Sequence, residues 1–259
     1  MAARCLDARA PRYLVPTVAT YADRPDLAAR VGEISDPWPA FIHHANCNRL
    51  WHVMRERFPQ FQLVLYDDES DRLLGRGQTV PVRWDGSVPG LPGGVDDALE
   101  QGSALAEGEA DTLCAIVAVL DSAAQGRGLS SRLIEGMRSA AAVAGLEALI
   151  APVRPTLKDR YPLTPIERYA QWRRRDGAAF DPWIRVHERL GGEIRAIAAR
   201  SMTVEGTVAE WESWTGMAFP DSGAYVLPHA LVPVEIDRER DRGTYVEPNV
   251  WMHHSARGA

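Results

Sequence analysis

The chain has 259 residues and a formal net charge of −6, from 29 basic and 35 acidic side chains. That length suits one large domain or two small ones with a sizeable core. The acidic balance argues against a general nucleic-acid binder, which needs a basic face, and favours an enzyme with a small-molecule substrate. No run approaches the roughly 20 apolar residues of a spanning helix, and the N-terminus lacks an apolar leader. We therefore expect a cytoplasmic protein without membrane contact.

The cysteines, Cys5, Cys47 and Cys114, are odd in number and form no CxxC pair. A disulfide framework or a thiolate zinc site is therefore not expected. Adjacent histidines cannot easily both point at one ion from a regular element, and no HExxH pattern exists. We expect no metal ion.

The first half of the chain predicts alternating short strands and helices. Pro16 weakens the first strand, because proline belongs at a sheet edge or a bulge. Leu50, Val53, Met54 and Phe58 recur at helical spacing. In chain order, the predicted elements are a strand over 13–20, helices over 26–34 and 46–58, strands over 61–66 and 73–84, and a helix over 95–107.

The second half begins with the most apolar run, Thr112–Leu120, whose length and flanks favour a strand buried on both faces. The segments 153–181 and 203–223 are predicted insertions, and the tail from about 237 is polar and expected to lie over the surface. The other predicted elements are a helix over 127–144, a strand over 148–152, helices over 166–175 and 182–190, a strand over 193–202, a helix over 208–215 and a final strand over 224–236.

A glycine-rich turn over 125–130 separates the apolar strand from the following helix. The first turn of a helix leaves backbone N–H groups without partners, and its dipole places positive charge there, so a pyrophosphate fits. Gly126 and Gly128 let the backbone approach phosphate oxygens, Arg127 adds a charged contact, and the Ser130 hydroxyl can donate. The predicted phosphate-binding residues are Gln125, Gly126, Arg127, Gly128, Leu129 and Ser130.

Two better-known phosphate loops do not match this turn. The pattern GxxxxGK[ST] is absent because the sequence contains no Gly-Lys pair. A dinucleotide fingerprint needs GxGxxG, whereas Ser131 stands at the last glycine position, and no acidic residue ends a second strand about 20 residues later.

The turn resembles the GCN5-related N-acetyltransferase superfamily, whose hallmark is [QR]xxGx[GA]. Gln125, Gly128 and Ser130 occupy the three marked positions, with Ser130 departing from Gly or Ala. The element order over 13–236 is similar too. The resemblance implies an α/β (α+β) fold over 1–259, with a mixed central sheet of about seven strands flanked by helices, its fourth and fifth strands splayed. It also implies that the backbone of Ala118, Val119 and Leu120 pairs with the pantetheine arm.

The activity that the resemblance implies is acyl transfer, most simply from acetyl-CoA to the amine of a small molecule by direct attack on the thioester. Relatives commonly use a Glu or a water chain as base and a Tyr near the fourth helix as acid. Tyr169 and Tyr161 are the candidate acids, although each ring is as well explained by packing. Glu109 and Asp111 are the candidate bases, although a solvated turn accounts for them too. His187 is expected to be a structural histidine.

Other interpretations stay open. A retained fold without transfer chemistry gives a CoA-binding sensor, and the same scaffold can use another acyl-CoA or decarboxylate malonyl-CoA. The segment 154–162 contacts the 3′-phosphate of CoA, lines the acceptor pocket, or is a solvated loop. A homodimer is also open.

Overall fold

The computed structural model describes residues 16–256, so Cys5 and the start of the predicted strand 13–20 lie outside it. The strands are β1 (Pro16–Thr20), β2 (Leu63–Asp67), β3 (Arg72–Val82), β4 (Thr112–Leu120), β5 (Ala148–Val153), β6 (Glu193–Gly206), β7 (Gly223–Tyr225), β8 (Val234–Asp237) and β9 (Arg242–Ser255). The α-helices are α1 (Pro25–Ala28), α2 (Trp51–Arg57), α3 (Val95–Ala104), α4 (Ser130–Val143), α5 (Ile166–Ala170), α6 (Pro182–Arg189) and α7 (Val208–Thr215).

These strands form one mixed sheet in the order β1-β2-β3-β4-β5-β9-β8-β7, with β6 paired to β9 off this path. The pairs β1–β2, β2–β3 and β3–β4 are antiparallel, whereas the pair β4–β5 is parallel. The described sheet has nine strands where about seven were expected. The predicted α/β class with a mixed, helix-flanked sheet is confirmed.

The central strands are apolar throughout because both of their faces are covered. Cys114 and Ile150 belong to a core cluster that includes residues of α2, α3 and α7, whereas their neighbours Leu113 and Leu149 belong to a cluster built on α4. Successive side chains of a strand point to opposite faces, so a continuous apolar run is what two covered faces require. The predicted bounds Thr112–Leu120 are confirmed, and Thr112, Leu113 and Cys114 are buried as expected, whereas residues 115–118 and Leu120 are half-buried.

The prediction of a polar surface tail from about 237 is wrong. Strand β9 has 14 residues and pairs with β5, β6 and β8, so it lies inside the sheet. Tyr245, Val250 and Met252 are fully buried, and Trp251 is 2% exposed. The sequence did not predict this strand because it contains the polar run Glu247-Pro248-Asn249. These polar residues can be buried only because their partners lie elsewhere in the chain.

Several boundaries also differ from the prediction. The segment 46–58 begins as a 3₁₀ helix, Asn46–Leu50, and continues as α2. The predicted strand 224–236 is two short strands, β7 and β8, separated by a loop that contains both predicted breakers, Pro228 and Pro233. Between residues 16 and 256, no helix combines the length and apolarity needed to cross a membrane.

Replacing Trp251 by alanine tests whether β9 is a core strand. Its side chain packs in the large cluster beside Ile150, and truncating a buried Trp typically costs about 3–5 kcal/mol of unfolding free energy. Val143→Ala, at a side chain that is 87% exposed on α4, is the matched control and should cost less than about 0.5 kcal/mol. Urea unfolding measures both, and equal small losses would contradict the placement of β9.

Candidate active site

Strands β4 and β5 pair at only three positions and then diverge. Thr112, Leu113 and Cys114 oppose Ala148, Leu149 and Ile150, and no pairing follows. The divergence begins at a β-bulge in the β3–β4 ladder, where Gln78 opposes Val117 but Thr79 opposes Ala115, leaving Ile116 as the extra residue. A bulge bends its strand and increases the local twist. The result is a V-shaped opening in the middle of the sheet.

One edge of this opening is the free side of β4. Ala118, Val119 and Leu120 pair with β3 on one side only, and all three line a cavity of about 740 Å³. Backbone groups at such an edge need hydrogen-bond partners when water is excluded. An extended amide-containing chain laid along β4 supplies them.

The glycine turn lies at the wide end of the same opening. Gly126 and Gly128 both have φ of +74°, a conformation that L side chains rarely adopt. Helix α4 begins at Ser130, and its N-cap residue Leu129 makes no side-chain cap. The N–H of Arg132 donates to the Leu129 carbonyl at 3.1 Å, and the N–H groups before it at the start of this 14-residue helix form the environment that a phosphate prefers.

Side chains around this turn fix its shape. Leu129 packs with Ala124 and Leu133 in a small apolar cluster. The Gln125 amide donates to the carbonyl of Leu120 at 3.3 Å and so ties the turn to the end of β4. Gln125 and Ser130 line the cavity, and Arg127 is exposed beside them. The turn that the sequence singled out thus meets the predicted β4 edge.

The cavity reaches from this turn through the opening to a polar chamber on the other face of the sheet. Its helix-side wall includes Ile134 of α4 and Trp183 and His187 of α6. The chamber contains carboxylates, arginines and amides from distant parts of the chain. They are Asp36, His43, Asn48, Arg76, Gln78, Arg154, Asp159, His229, Glu247 and Asn249.

A buried ion pair forms one wall of the chamber. Arg154 Nε lies 3.0 and 3.1 Å from the two carboxylate oxygens of Glu247, which is 2% exposed. The Tyr245 hydroxyl donates to Glu247 at 2.8 Å, and Asn249 donates at 3.3 Å. Burial, aided by this carboxylate, raises the pKa of Tyr245, so the hydroxyl stays protonated. A buried pair needs such extra hydrogen bonds to offset its desolvation.

A second wall comes from the segment that follows β5. Lys158, the only lysine, is fully buried and donates to the carbonyls of Tyr161 and Leu231 at 2.9 and 2.6 Å. These bonds bring the loop before β8 against the predicted insertion. His229 Nδ1 therefore lies 3.3 Å from Asp159 Oδ2, at the edge of the cavity.

Two buried polar atoms in the chamber lack partners among residues 16–256. They are Asp159 Oδ1 and Arg76 Nε, one on an anionic and one on a cationic side chain. Asp36 lies 3.5 Å from the Arg76 guanidinium and 3.8 Å from His43. Unpaired buried polar atoms are costly, so atoms of this kind in a cavity wall point to a ligand that satisfies them.

The predicted acids and bases lie elsewhere. The cavity wall of the described chain does not include Tyr161, Tyr169, Glu109 or Asp111. Tyr169 is 1% exposed and donates to Asp181 at 2.8 Å, and burial raises its pKa. Tyr161 packs edge-on against Trp172. Asp111 accepts from the backbone of Trp84 at the closed end of β4, and Glu109 is in the exposed turn before it.

Sequence reasoning missed most of the chamber. Asp36, Arg76 and Glu247 are far apart in the sequence and line one cavity only in the folded chain, where Arg76 lies on β3, Glu247 on β9 and Asp36 in a loop before α2. Lys158, the only lysine in the sequence, is the available signal that the segment 154–162 is structured. Within residues 16–256, no group of three or more His, Cys, Asp or Glu is placed to hold a metal ion.

The buried ammonium of Lys158 gives stability a defined pH dependence. Burial lowers the pKa of Lys158 from 10.5 to about 8. Between these values the unfolded chain keeps the proton that the folded chain has lost, so folding stability rises with pH. Relative to Lys158→Met, which has no titrating group, the wild type should gain about 3 kcal/mol from pH 8 to 10.5. Urea unfolding of both proteins across that range measures the difference, and a constant difference would contradict it.

Comparisons with known proteins agree with this geometry. No protein-family model matches the chain. The chain is 31% identical over 278 residues to the arginine N-acetyltransferase avaD of Aspergillus versicolor, covering 94% of both sequences.

Two solved structures share the fold. The loading GNATL domain of CurA from Lyngbya majuscula has a TM-score of 0.57 at 16% identity, over 96% of this chain and 100% of that domain. The GphF GNAT-like decarboxylase in complex with isobutyryl-CoA has a TM-score of 0.54 at 17% identity, over 93% and 99%. The splayed strands, the uncapped helix after the glycine turn and the full-length relationship to avaD together show that the chain is an N-acetyltransferase of the GCN5-related N-acetyltransferase superfamily.

Proposed function

We propose that the protein transfers the acetyl group of acetyl-CoA to the α-amine of arginine or a close arginine analogue. The observation that carries the choice of acceptor is the pair of unpartnered buried atoms, Arg76 Nε and Asp159 Oδ1, in one cavity wall. An amino acid with a cationic side chain has a carboxylate that can accept from Arg76 Nε and a cation that can donate to Asp159 Oδ1. The relative avaD is named an arginine N-acetyltransferase.

The donor half of the site supports acetyl-CoA. The pyrophosphate fits the turn at Gly126 and Gly128 and the uncapped start of α4. From there the pantetheine arm follows the free edge of β4 along Leu120, Val119 and Ala118. The arm brings the thioester to the narrow end of the opening, where the polar chamber meets the helix-side wall.

The acceptor half favours the α-amine over the guanidinium as nucleophile. The guanidinium keeps its proton at any physiological pH, whereas an α-amine has a much lower pKa and so supplies a neutral lone pair more readily. We assign the guanidinium to Asp159, where it meets a carboxylate, and the carboxylate to Arg76. The amine then lies between these two contacts and faces the thioester.

Acceptor analogues test this assignment. Thiol release and product mass are measured for wild-type protein with acetyl-CoA and L-arginine, citrulline or agmatine. Citrulline lacks the side-chain charge and agmatine lacks the carboxylate, so both should have kcat/KM at least about tenfold below arginine, a loss of about 1.4 kcal/mol. Acetylation on the guanidinium, read by fragmentation of the product, would contradict the assignment.

The same measurements separate the alternatives. Acetyl-CoA binding without thiol release across a broad amine panel would favour a sensor. Consumption of malonyl-CoA in the absence of any amine would favour decarboxylation. Neither outcome is expected from a chamber whose buried charges complement a dipolar amine.

Asp159→Asn should raise the KM for arginine at least about tenfold while the Kd for acetyl-CoA changes less than about twofold. The amide keeps the shape of the side chain but removes the charge that we assign to the guanidinium. Asp176→Asn, in the exposed loop after α5, is the matched control and should leave both constants unchanged. An unchanged KM in Asp159→Asn would remove Asp159 from acceptor recognition.

The substitution Ser130→Asp should stabilise the fold and weaken acetyl-CoA binding. An acidic residue in the first turn of α4 is favourable toward the helix dipole, so unfolding free energy should rise by about 0.3–1 kcal/mol. The same charge faces the pyrophosphate, so the Kd for acetyl-CoA should rise about tenfold or more. Ser130→Asn is the neutral control. Calorimetry and thermal unfolding measure the two quantities, and unaltered acetyl-CoA affinity in Ser130→Asp would place the phosphates elsewhere.

A further inference from the structure

Two buried histidines meet at the helix-side wall of the cavity. His187 Nδ1 on α6 lies 2.8 Å from His254 Nε2 on β9, and the two residues are 2% and 1% exposed. His187 lines the cavity, and its Nε2 is buried without a partner among the described residues. A structural histidine of the expected kind has both ring nitrogens satisfied, so the free nitrogen needs an explanation.

The surrounding residues hold this pair in place. The Trp183 ring packs edge-on against His187 with centroids 4.7 Å apart. Gly192 makes the contact possible, because a Cβ there would lie 2.5 Å from His254 Cε1 and 2.7 Å from His254 Nε2. The side chain of Asp181 caps α6 by accepting from the N–H groups of Trp183 and Ile184, which fixes the start of the helix that carries His187. The orientation of His187 is therefore set from three sides.

His187 lies near the end of the path proposed for the donor. An arm that follows β4 from Leu120 to Ala115 covers about 17 Å at about 3.3 Å per residue. There the opening closes, because Cys114 is already paired with Ile150. Ala115, Leu149 and His187 line the cavity at this end. A thioester at the end of this path would share its part of the cavity with His187.

We propose that His187 Nε2 is a catalytic group that carries a proton from the attacking amine to the departing sulfur, with His254 as its positioning residue. This proposal rests on the proposed acetyl transfer from acetyl-CoA. The amine nitrogen and the sulfur are bonded to the same carbon in the tetrahedral intermediate. One ring nitrogen at that carbon can therefore reach both atoms.

The proton and electron balance is complete without another reactant. The amine forms a bond to the thioester carbon, and the carbonyl electrons move to oxygen, giving an ammonium and an oxyanion. His187 Nε2 accepts one ammonium proton. The carbonyl then re-forms, the C–S bond breaks with its electrons on sulfur, and Nε2 returns the proton to sulfur. The products are the amide and the CoA thiol, and the histidine pair returns to its first state.

The histidine pair suits this role because it is neutral at rest. Burial lowers the pKa of both rings, and the positive charge of Arg138 lowers the pKa of His254 further. In the tautomer in which the Nδ1–H of His187 donates to His254 Nε2, the Nε2 atom of His187 presents a lone pair to the cavity. The cation formed on proton uptake exists only beside the oxyanion, so its attraction to that charge stabilises the intermediate and not the ground state.

Kinetics of His187→Gln test the proposal. We expect kcat to fall at least about 100-fold, while the Kd for acetyl-CoA stays within about twofold and the protein remains folded. Gly192→Ala, which displaces His254, should lower kcat by a smaller factor. His253→Gln is the matched control, since that neighbouring ring packs against Trp84 and is outside the cavity wall. A kcat within about threefold of wild type in His187→Gln would overturn the proposal.

A spectroscopic measurement on the wild-type protein provides a readout that does not need turnover. With ¹⁵N-labelled histidine, CoA should shift the Nε2 resonance of His187, whereas desulfo-CoA should not. Equal shifts with both ligands, or none with either, would overturn the placement of Nε2 at the sulfur. If no amine gives thiol release, the proposed function fails, and this comparison still decides whether His187 meets the sulfur.

Discussion

The early end of the β4–β5 ladder is the constraint on which the rest of the site depends. After Cys114 and Ile150 the two central strands no longer satisfy each other's backbone groups. Such groups cannot stay unpaired in a dry interior. The cavity between the strands is therefore a place that favours an extended chain of amides. The bulge at Ile116 costs ladder hydrogen bonds in the free protein and opens the cavity at the same point.

The opening also divides the charges of the site. The chamber beside Arg154 and Glu247 is ionic, with each charge held by several partners, and it faces the acceptor side of the sheet. The opposite wall includes the apolar side chains of Ile134 and Trp183 and the ring of His187, which burial keeps neutral. A thioester at the boundary has fixed dipoles and charges on one side and low polarity on the other. Charge that develops during the reaction is felt strongly in such surroundings.

The strand edge and the turn that we propose for the donor could be predicted from the sequence, and the polar chamber that we propose for the acceptor could not. Thr112–Leu120 and the glycine turn are local features, since a strand covered on both faces is a continuous apolar run and a positive φ favours glycine. Strand β9 was not predicted because Glu247 and Asn249 are typical of an exposed segment. Their burial depends on Arg154, which is 93 residues away from Glu247 in the sequence. The unpartnered Nε2 of His187 could not be predicted from the sequence either. It depends on the folded surroundings, in which His254 takes up only the Nδ1 atom of the same ring.

The only lysine of the chain, Lys158, helps to shape the polar chamber. In a chain whose other basic side chains are all arginine, the one lysine is fully buried between two carbonyl groups, 6.0 Å from the centre of the Tyr169 ring. An ammonium is compact and can lose its proton when buried, whereas a planar guanidinium carries five donors and a permanent charge. Arginine at this position would leave donors unsatisfied and push the loop at Leu231 away. Because that loop carries His229 and contacts Tyr245 through the N–H of Leu231, the compact ammonium fixes the distance between two walls of the acceptor chamber.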